Sequence, residues 1–300
     1  MTDFHLPQWS RRRFMGGAAG LAGLGSFAAA CGGASDSAST AGTVAASGAA
    51  VAPSGRAAAS STATTGAAGS VDADLLMRRY GLKPFAAAPA APSVKPITLD
   101  PQDPTIFSKV PATENICFVT VDDGIDKDPA FIQMVKDVQI PITVSLADTL
   151  IRDDYAYFEQ LYETGYVSIQ NHTVNHPLSM PSLSYQEQLD EIAGQQTKLA
   201  REYGVEPYIF RPPGGNYDSV TREAVRGAGL KGMMLWKEAM EIQDMEYQTS
   251  DRQLRPGDII LCHFRGPAQL KGETMVRMMT HLYSHIQAQG FTVADVTKYV

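Results

Sequence analysis

Cysteine is scarce in this sequence, and the features of a nucleic-acid-binding protein are missing. Three cysteines among 300 residues are too few for a disulfide framework. Cys117 and Cys262 lie inside apolar runs typical of strands, which predicts buried free thiols and leaves one bridge between them as the alternative. The formal net charge is -7, and no basic cluster follows the first residues, which argues against nucleic acid as a partner.

A long apolar run is also lacking. Residues 16–30 carry no charge, but a run of about fifteen residues is shorter than the roughly 20 that a transmembrane helix needs. The run follows Ser10 and three consecutive arginines, Arg11, Arg12 and Arg13. This order predicts a twin-arginine export signal over residues 1–31.

The end of this signal resembles the cleavage site of a bacterial lipoprotein. Three alanines precede Cys31, and a pair of glycines follows it, although the usual leucine three residues before the cysteine is missing. Acylation of Cys31 would tether the protein to a membrane. The alternative is ordinary cleavage near Ala30, which would give a soluble secreted protein. Either route predicts export, to the cell surface as a lipoprotein or to the medium.

Composition divides the remaining chain into three parts. Residues 32–70 are almost entirely Ala, Ser, Thr and Gly, too poor in large apolar side chains to fold, and we expect a disordered linker. Residues 71–109 regain apolar side chains but contain several prolines, which predicts an irregular extension packed against the domain. Residues 110–300 have the composition of one compact catalytic domain.

Short apolar runs alternate with segments of helical period throughout this domain, the pattern of parallel strands covered by helices. A capping box formed by Ser184 and Glu187 predicts the start of one helix. A closed or nearly closed (β/α) barrel is favoured over a doubly wound sheet, and in both folds the chemistry lies at the carboxyl ends of the strands. The seven candidate strands are residues 116–121, 140–146, 166–170, 208–211, 231–236, 258–263 and 291–296.

Two adjacent carboxylates, Asp122 and Asp123, end the first candidate strand and precede Gly124. Taken alone, an Asp-Asp-Gly sequence is more often a solvated turn than a functional site. The third candidate strand is followed by His172 and His176, whose spacing of four lets both imidazoles grip one ion. Two imidazoles and one carboxylate suit zinc, whereas the plain alternative is a pair of surface or core-capping histidines.

Further polar groups follow two other strands. Arg211 begins a turn of two prolines and the glycines Gly214 and Gly215, and Leu261 and His263 end the sixth candidate strand. Each group has a plain explanation as a turn or as a buried histidine. Because all four groups fall at the carboxyl ends of strands in one domain, we expect them to form one site.

In order along the chain, the segments 120–124, 172–176, 211–215 and 261–263 match motifs of the polysaccharide deacetylase family, carbohydrate esterase family four. The sequence resembles this family over about residues 116–296. The resemblance implies a distorted (β/α) barrel that uses one divalent metal to remove acetyl groups from N-acetylglucosamine polymers, peptidoglycan or acetylated xylan.

By motif position, the resemblance implies that Asp123, His172 and His176 ligate the metal, with zinc expected and cobalt possible as a substitute. Asp122 would be the general base for the attacking water. Arg211 would hold Asp122 by a charge-assisted contact.

The same resemblance assigns the groups around the substrate. The amide N–H of Gly214 would help to stabilise the oxyanion. His263 would protonate the leaving amine, a task suited to a group that titrates near neutral pH. Trp236 and Leu261 would line the pocket for the acetyl methyl group.

The sequence departs from the family after Trp236, where the usual Asp-Trp pair is absent. That aspartate normally supports the catalytic histidine, and here Glu238, Glu241 or Asp244 could replace it. The favoured function is removal of N-acetyl groups from peptidoglycan or a chitin-like polymer. The alternatives are an O-acetyl esterase acting on acetylated xylan and a non-catalytic glycan-binding protein with a degraded active site.

Overall fold

The computed structural model describes residues 68–300, with side chains from residue 74 onward. The predicted export signal, Cys31 and nearly all of the predicted linker therefore lie outside the described residues. Within residues 68–300, no helix combines the length and the hydropathy needed to cross a membrane. The helices are α1 Ala68–Arg79, α2 Pro129–Val138, α3 Asp148–Ile151, α4 Tyr155–Tyr162, α5 Tyr185–Tyr203, α6 Ser219–Gly227 and α7 Met275–Ala288.

Ten strands occur in this part of the chain, and nine of them form one path of neighbours in the order β1-β6-β5-β4-β3-β2-β9-β7-β8. Only β7 and β8 pair in antiparallel fashion, while β10 pairs with the first residues of β2. The strands are β1 Thr105–Phe107, β2 Ile116–Asp123, β3 Ile142–Leu146, β4 Val167–Asn171, β5 Ile209–Phe210, β6 Gly232–Met234, β7 Glu238–Met240, β8 Met245–Tyr247, β9 Ile259–His263 and β10 Thr292–Val293.

The sheet curls into an incomplete barrel, as predicted. An antiparallel bridge joins Lys109, just after β1, to Asp258, just before β9. Gly257 has φ 85°, and a Cβ atom there would lie 1.7 Å from the carbonyl oxygen of Val110. Only glycine therefore lets the two segments approach this closely. The closure is partial, which makes the barrel a distorted one.

The central strand, β2, carries the two aspartates of the site in the protein interior. All eight residues of β2 are buried, including the two aspartates at its end. A run that is apolar on both faces is typical of a parallel strand covered on both sides. Cys117 on β2 and Cys262 on β9 are buried and free within the described residues, and burial raises the pKa of both thiols.

Seven predicted strands correspond to β2 to β6, β9 and β10, but the count of about seven was too low. The strands that sequence analysis missed, β1, β7 and β8, have three residues each. Such short segments show no period, and β7 begins with a charged residue that is buried. The predicted capping box of Ser184 and Glu187 is present at the start of α5.

The segment expected to be an irregular extension contains β1 and most of α1, and the first three residues of α1 belong to the predicted disordered linker, which was therefore wrong for residues 68–70. Asp137 on α2 is buried and accepts hydrogen bonds from Arg79 and from the Tyr80 hydroxyl, at 3.1 and 2.8 Å. Farther along, the hydroxyl of Thr292 donates to the carbonyl of Ala86 at 2.6 Å. These contacts fasten the extension to the same domain that carries β2.

A carboxyl pair lies buried near the amino-terminal end of β9. Desolvation by burial, followed by the charge of Asp258, raises the pKa of Glu238 to about 8 from its ordinary 4.5. Because the folded-state pKa is the higher one, protonation of Glu238 favours the folded state. This contribution is complete below the unfolded-state pKa and is lost as pH rises through about 8.

We therefore expect Glu238→Gln to flatten the decline of stability toward alkaline pH, because glutamine cannot ionise beside Asp258. Between pH of about 5 and about 9, the wild type should lose on the order of 4 kcal/mol more than the variant. Urea denaturation at a series of pH values measures the difference, and Glu246→Gln on β8 is the matched control. Parallel pH profiles for wild type and Glu238→Gln would contradict this account.

Candidate active site

Strands β2, β4, β5 and β9 bring the predicted residues together at the edge where their carboxyl ends lie. In the sheet, Asp122 at the end of β2 lies opposite His263 on β9. Asn171 at the end of β4 lies opposite Phe210 on β5, so the segment after each strand opens on the same edge. The expectation that these groups share one location is met.

Asp123, His172 and His176 form a compact group of metal-ligand type, in which one ligand atom from each lies within 4.8 Å of the others. The Oδ1 atom of Asp123 is 3.5 Å from Nε2 of His172 and 3.1 Å from Nε2 of His176. This oxygen is buried and has no hydrogen-bond partner in the described part of the chain. A buried carboxylate oxygen without a hydrogen bond calls for an explanation, and a cation between these three residues supplies one.

The tautomer of His172 also suits a metal ligand. Its Nδ1 lies 2.6 Å from the carbonyl oxygen of Arg211. Because a carbonyl can only accept, Nδ1 carries a proton, and Nε2 is the nitrogen that faces Asp123 and can bind a cation. A carboxylate with two imidazoles fits zinc by donor type, so the residues present fit one divalent cation.

Two of the three candidate ligands have unusual backbone conformations. Asp123 has φ 79° and His176 has φ 56°, in the left-handed region that residues other than glycine seldom adopt. Such conformations cost on the order of 1–3 kcal/mol each and persist where neighbouring contacts enforce them. Their concentration here indicates that the ligand positions are imposed by the surrounding fold.

Arg211 contacts Asp122 as predicted. Its side chain is fully buried, and Nη1 donates to Oδ1 of Asp122 at 3.0 Å and to the hydroxyl of Thr120 at 2.6 Å. Nε donates to the carbonyl of Met234 at 3.0 Å. The guanidinium thus keeps Asp122 oriented, while the other oxygen of that carboxylate lies 3.8 Å from Nε2 of His172.

The glycine turn after Arg211 forms one wall of the site. Gly214 and Gly215 have φ 62° and 71°, and a Cβ at Gly215 would lie 2.9 Å from the ring of Trp236. Leu261 is buried on β9. A residue that sequence analysis missed, Leu178, is 61% exposed near Gly214. It follows the second histidine by two positions, and nothing in the sequence distinguishes it from a core leucine.

His263 has a different ionisation from the one expected. Burial lowers the pKa of His263 to about 4, although the charge of Asp123 acts in the opposite direction. The expectation of titration near neutral pH is therefore not met in the absence of substrate, and the imidazole is neutral at pH 7. Its assigned role as the acid stays a prediction.

Three acids were candidates to support His263, and their positions differ. Glu238 faces Asp258 near the other end of β9, and Asp244 binds Arg252 at 2.6 Å on the exposed surface. Glu241 follows β7, whose Ala239 pairs with Leu261, and its carboxylate lies 3.7 Å from Nη1 of Arg265.

The described residues form a distorted barrel with a group of metal-ligand type at the carboxyl ends of its strands, and comparisons with known proteins agree with this fold. The profile of the polysaccharide deacetylase family matches residues 109–233. An uncharacterized protein of Streptomyces coelicolor is 32% identical over 198 residues, which are 66% of this chain and 78% of that protein. The chain belongs to the polysaccharide deacetylase family, carbohydrate esterase family four.

Two other similar proteins show what this family contains. The peptidoglycan-N-acetylglucosamine deacetylase of Bacillus cereus is 24% identical over 203 residues, 64% of this chain and 92% of that protein. A solved pseudoenzyme of carbohydrate esterase family four from Bacillus anthracis has 16% identity and a TM-score of 0.54, covering 65% of this chain and 69% of its own. The latter likeness supports the fold alone.

We expect zinc or cobalt to raise the melting temperature of the protein, because a cation that binds only the folded state stabilises it. At a free metal concentration 100 times the dissociation constant, the gain is about 2.7 kcal/mol. His176→Ala should abolish the gain, whereas Asp122→Asn should lower the baseline stability and keep the gain. Differential scanning calorimetry with metal and with chelator tests this, and an undiminished gain in His176→Ala would place the cation elsewhere.

Proposed function

We propose that this protein is a metal-dependent deacetylase that removes N-acetyl groups from N-acetylglucosamine residues of a polysaccharide, with peptidoglycan favoured. The observation that carries the proposal is the buried group of Asp123, His172 and His176 beside a second carboxylate, Asp122, held by a buried arginine. A base, an acid and a metal site close together are features of an enzyme, and glycan binding alone does not require them.

Each residue has a definite task in this proposal. Zinc or another divalent cation, when bound by Asp123, His172 and His176, would polarise the acyl carbonyl and acidify the attacking water. Asp122 would accept the proton from that water, and its contact with Arg211 fixes the orientation of the carboxylate. The second oxygen of this carboxylate lies 3.8 Å from Nε2 of His172, which puts the proposed base beside a proposed ligand.

The remaining residues act on the acyl group and the leaving group. The N–H of Gly214 donates to the oxyanion that develops from the carbonyl oxygen. His263 would deliver a proton to the departing amine of the sugar, which requires that bound substrate raises its pKa from about 4 so that the imidazole is first protonated. Trp236 and Leu261 enclose the acetyl methyl group, and Leu178 offers an apolar surface at the rim.

Location favours peptidoglycan among the possible polymers. We propose that the twin-arginine signal exports the folded protein, and that a lipid on Cys31 holds it at the membrane surface with the linker as a tether. The catalytic domain would then work close to the cell wall. Similarity to a peptidoglycan-N-acetylglucosamine deacetylase supports this substrate.

We expect the purified protein, loaded with zinc, to release acetate from N-acetylglucosamine oligomers and from peptidoglycan. Chelator should abolish the release, and added zinc should restore it. Asp122→Asn should lower kcat by about 100- to 10,000-fold, because the proton of the attacking water then has no acceptor. The matched control is Asp190→Asn, an exposed acid on α5, and the measurement is enzymatic quantification of acetate.

The outcome also separates the alternatives. Acetate released from acetylated xylan but from no amide substrate would indicate an O-acetyl esterase. Tight binding of glycan that is unchanged by chelator, with no acetate from any polymer, would refute the enzyme and indicate a glycan-binding protein. Retained activity in Asp122→Asn would remove the assigned base.

A further inference from the structure

The loop that carries both histidine ligands is supported by one acidic residue of a neighbouring helix. Glu191 lies on α5, and its two carboxylate oxygens accept hydrogen bonds from the backbone N–H and the side-chain amide of Asn175, both at 2.7 Å. Its backbone carbonyl accepts from the N–H of Val174 at 3.1 Å. Three hydrogen bonds from one residue therefore reach the two positions just before His176.

This support acts where the loop is strained. Thr173 has φ 73° and His176 has φ 56°, so the loop passes twice through the left-handed region between its two ligands. Thr173 is β-branched, for which a positive φ is a true outlier. A path of this kind is not the one that the free chain prefers, and it persists only where surrounding contacts define it.

Contacts inside the loop are too few to define it alone. The N–H of Thr173 donates to the side chain of Asn171 and the N–H of His176 donates to the hydroxyl of Thr173, both at 3.0 Å. Both of these hydrogen bonds involve Thr173. The N–H and the side chain of Asn175 are held by Glu191 instead, so the last residue before His176 is positioned from the helix.

The helix is a firm base for this contact. α5 has 19 residues and begins with the capping box of Ser184 and Glu187. One turn beyond Glu191, Gln195 donates to the carbonyl of Leu146 at 2.7 Å, and the carbonyl of Ile192 accepts from Asn171 at 2.9 Å. The same face of α5 is thus bonded to the ends of β3 and β4, which fixes its distance from the loop.

We propose that Glu191 is a positioning residue of the metal site, which sets the direction of the His176 imidazole through Asn175 and thereby the affinity for the cation. Glu191 contacts neither ligand directly. Partners that orient metal ligands from outside are worth about 10- to 100-fold in metal affinity when they are removed. The inference concerns metal binding alone and does not depend on which glycan, if any, is the substrate.

The chemistry of the pair allows a reciprocal exchange. In Glu191→Gln, the glutamine oxygen still accepts from the N–H of residue 175. The exposed amide of Asn175 can turn over so that its oxygen accepts from the glutamine NH₂ group, so this variant keeps both hydrogen bonds. Glu191→Ala removes both acceptors, and in Asn175→Asp two carboxylates face each other. The double variant Glu191→Gln with Asn175→Asp restores a donor opposite an acceptor.

The experiment measures zinc affinity by competition with a chromophoric chelator, without substrate. Glu191→Ala and Asn175→Asp should each bind zinc about 10- to 100-fold more weakly, whereas Glu191→Gln and the double variant should bind within about threefold of wild type. Asp190→Asn, which removes the neighbouring exposed charge on the same helix, should bind like wild type. The melting temperature of each metal-free protein shows whether the variants are folded.

Two results would overturn the proposal. One is wild-type affinity in folded Glu191→Ala, since the side chain of Glu191 would then have no influence on the site. The other is weak binding that persists in the double variant, because the effect would then not run through this pair of side chains. Neither result bears on acetate release, which tests the proposed function separately.

Discussion

The buried guanidinium of Arg211 is the interaction on which the site depends. Its side chain holds Asp122 on β2, while its backbone carbonyl accepts from Nδ1 of His172 after β4. One residue on the segment after β5 therefore orients both the proposed base and one proposed ligand. The charge has no access to solvent, so removal of Asp122 would leave an unpaired buried cation, which typically destabilises a protein by about 3–5 kcal/mol. The Arg211–Asp122 contact therefore affects both the geometry of the site and the stability of the folded protein.

A second constraint is the backbone at the end of β2. In a regular strand, adjacent side chains point to opposite faces, and Asp122 and Asp123 would then be separated by the sheet. Here both carboxylates lie within 3.8 Å of the same nitrogen of His172. The left-handed conformation of Asp123 turns its side chain back to the side of Asp122. Gly124 follows with φ 100°, and a Cβ there would lie 2.3 Å from Ile151, so the chain leaves the strand by a path that only glycine allows.

The sequence predicted those parts of the molecule that a local pattern encodes. β2 and β9 are continuous apolar runs, and the chemical residues at their ends are recognisable because parallel strands place their carboxyl ends on one edge. The hairpin of β7 and β8 gave no such signal, because Glu238 is charged in the sequence and becomes buried only beside Asp258. No sequence pattern predicted the position of Glu191 either. It lies 15 positions after His176, on a helix whose pattern predicts nothing about which polar side chain faces the loop.

Charge explains why two carboxylates can share so small a volume. Asp122 and Asp123 carry two negative charges when ionised, and Arg211 returns one positive charge. Burial acts to lower the pKa of His172, but the charges of Asp122 and Asp123 raise it overall, so in the protein without a cation a proton on this imidazole is favoured beside the carboxylates. A divalent cation held by the three ligands would take the place of that proton and would supply the positive charge that favours an oxyanion developing nearby. The same cation would contact the buried oxygen of Asp123 that has no hydrogen bond among the described residues. Its binding would also explain why Asp123 and His176 are held in the left-handed region, since that backbone places their ligand atoms. The fold holds these ligands in place before any cation arrives, because Arg211 and the contacts of α5 have already fixed the segments that carry them.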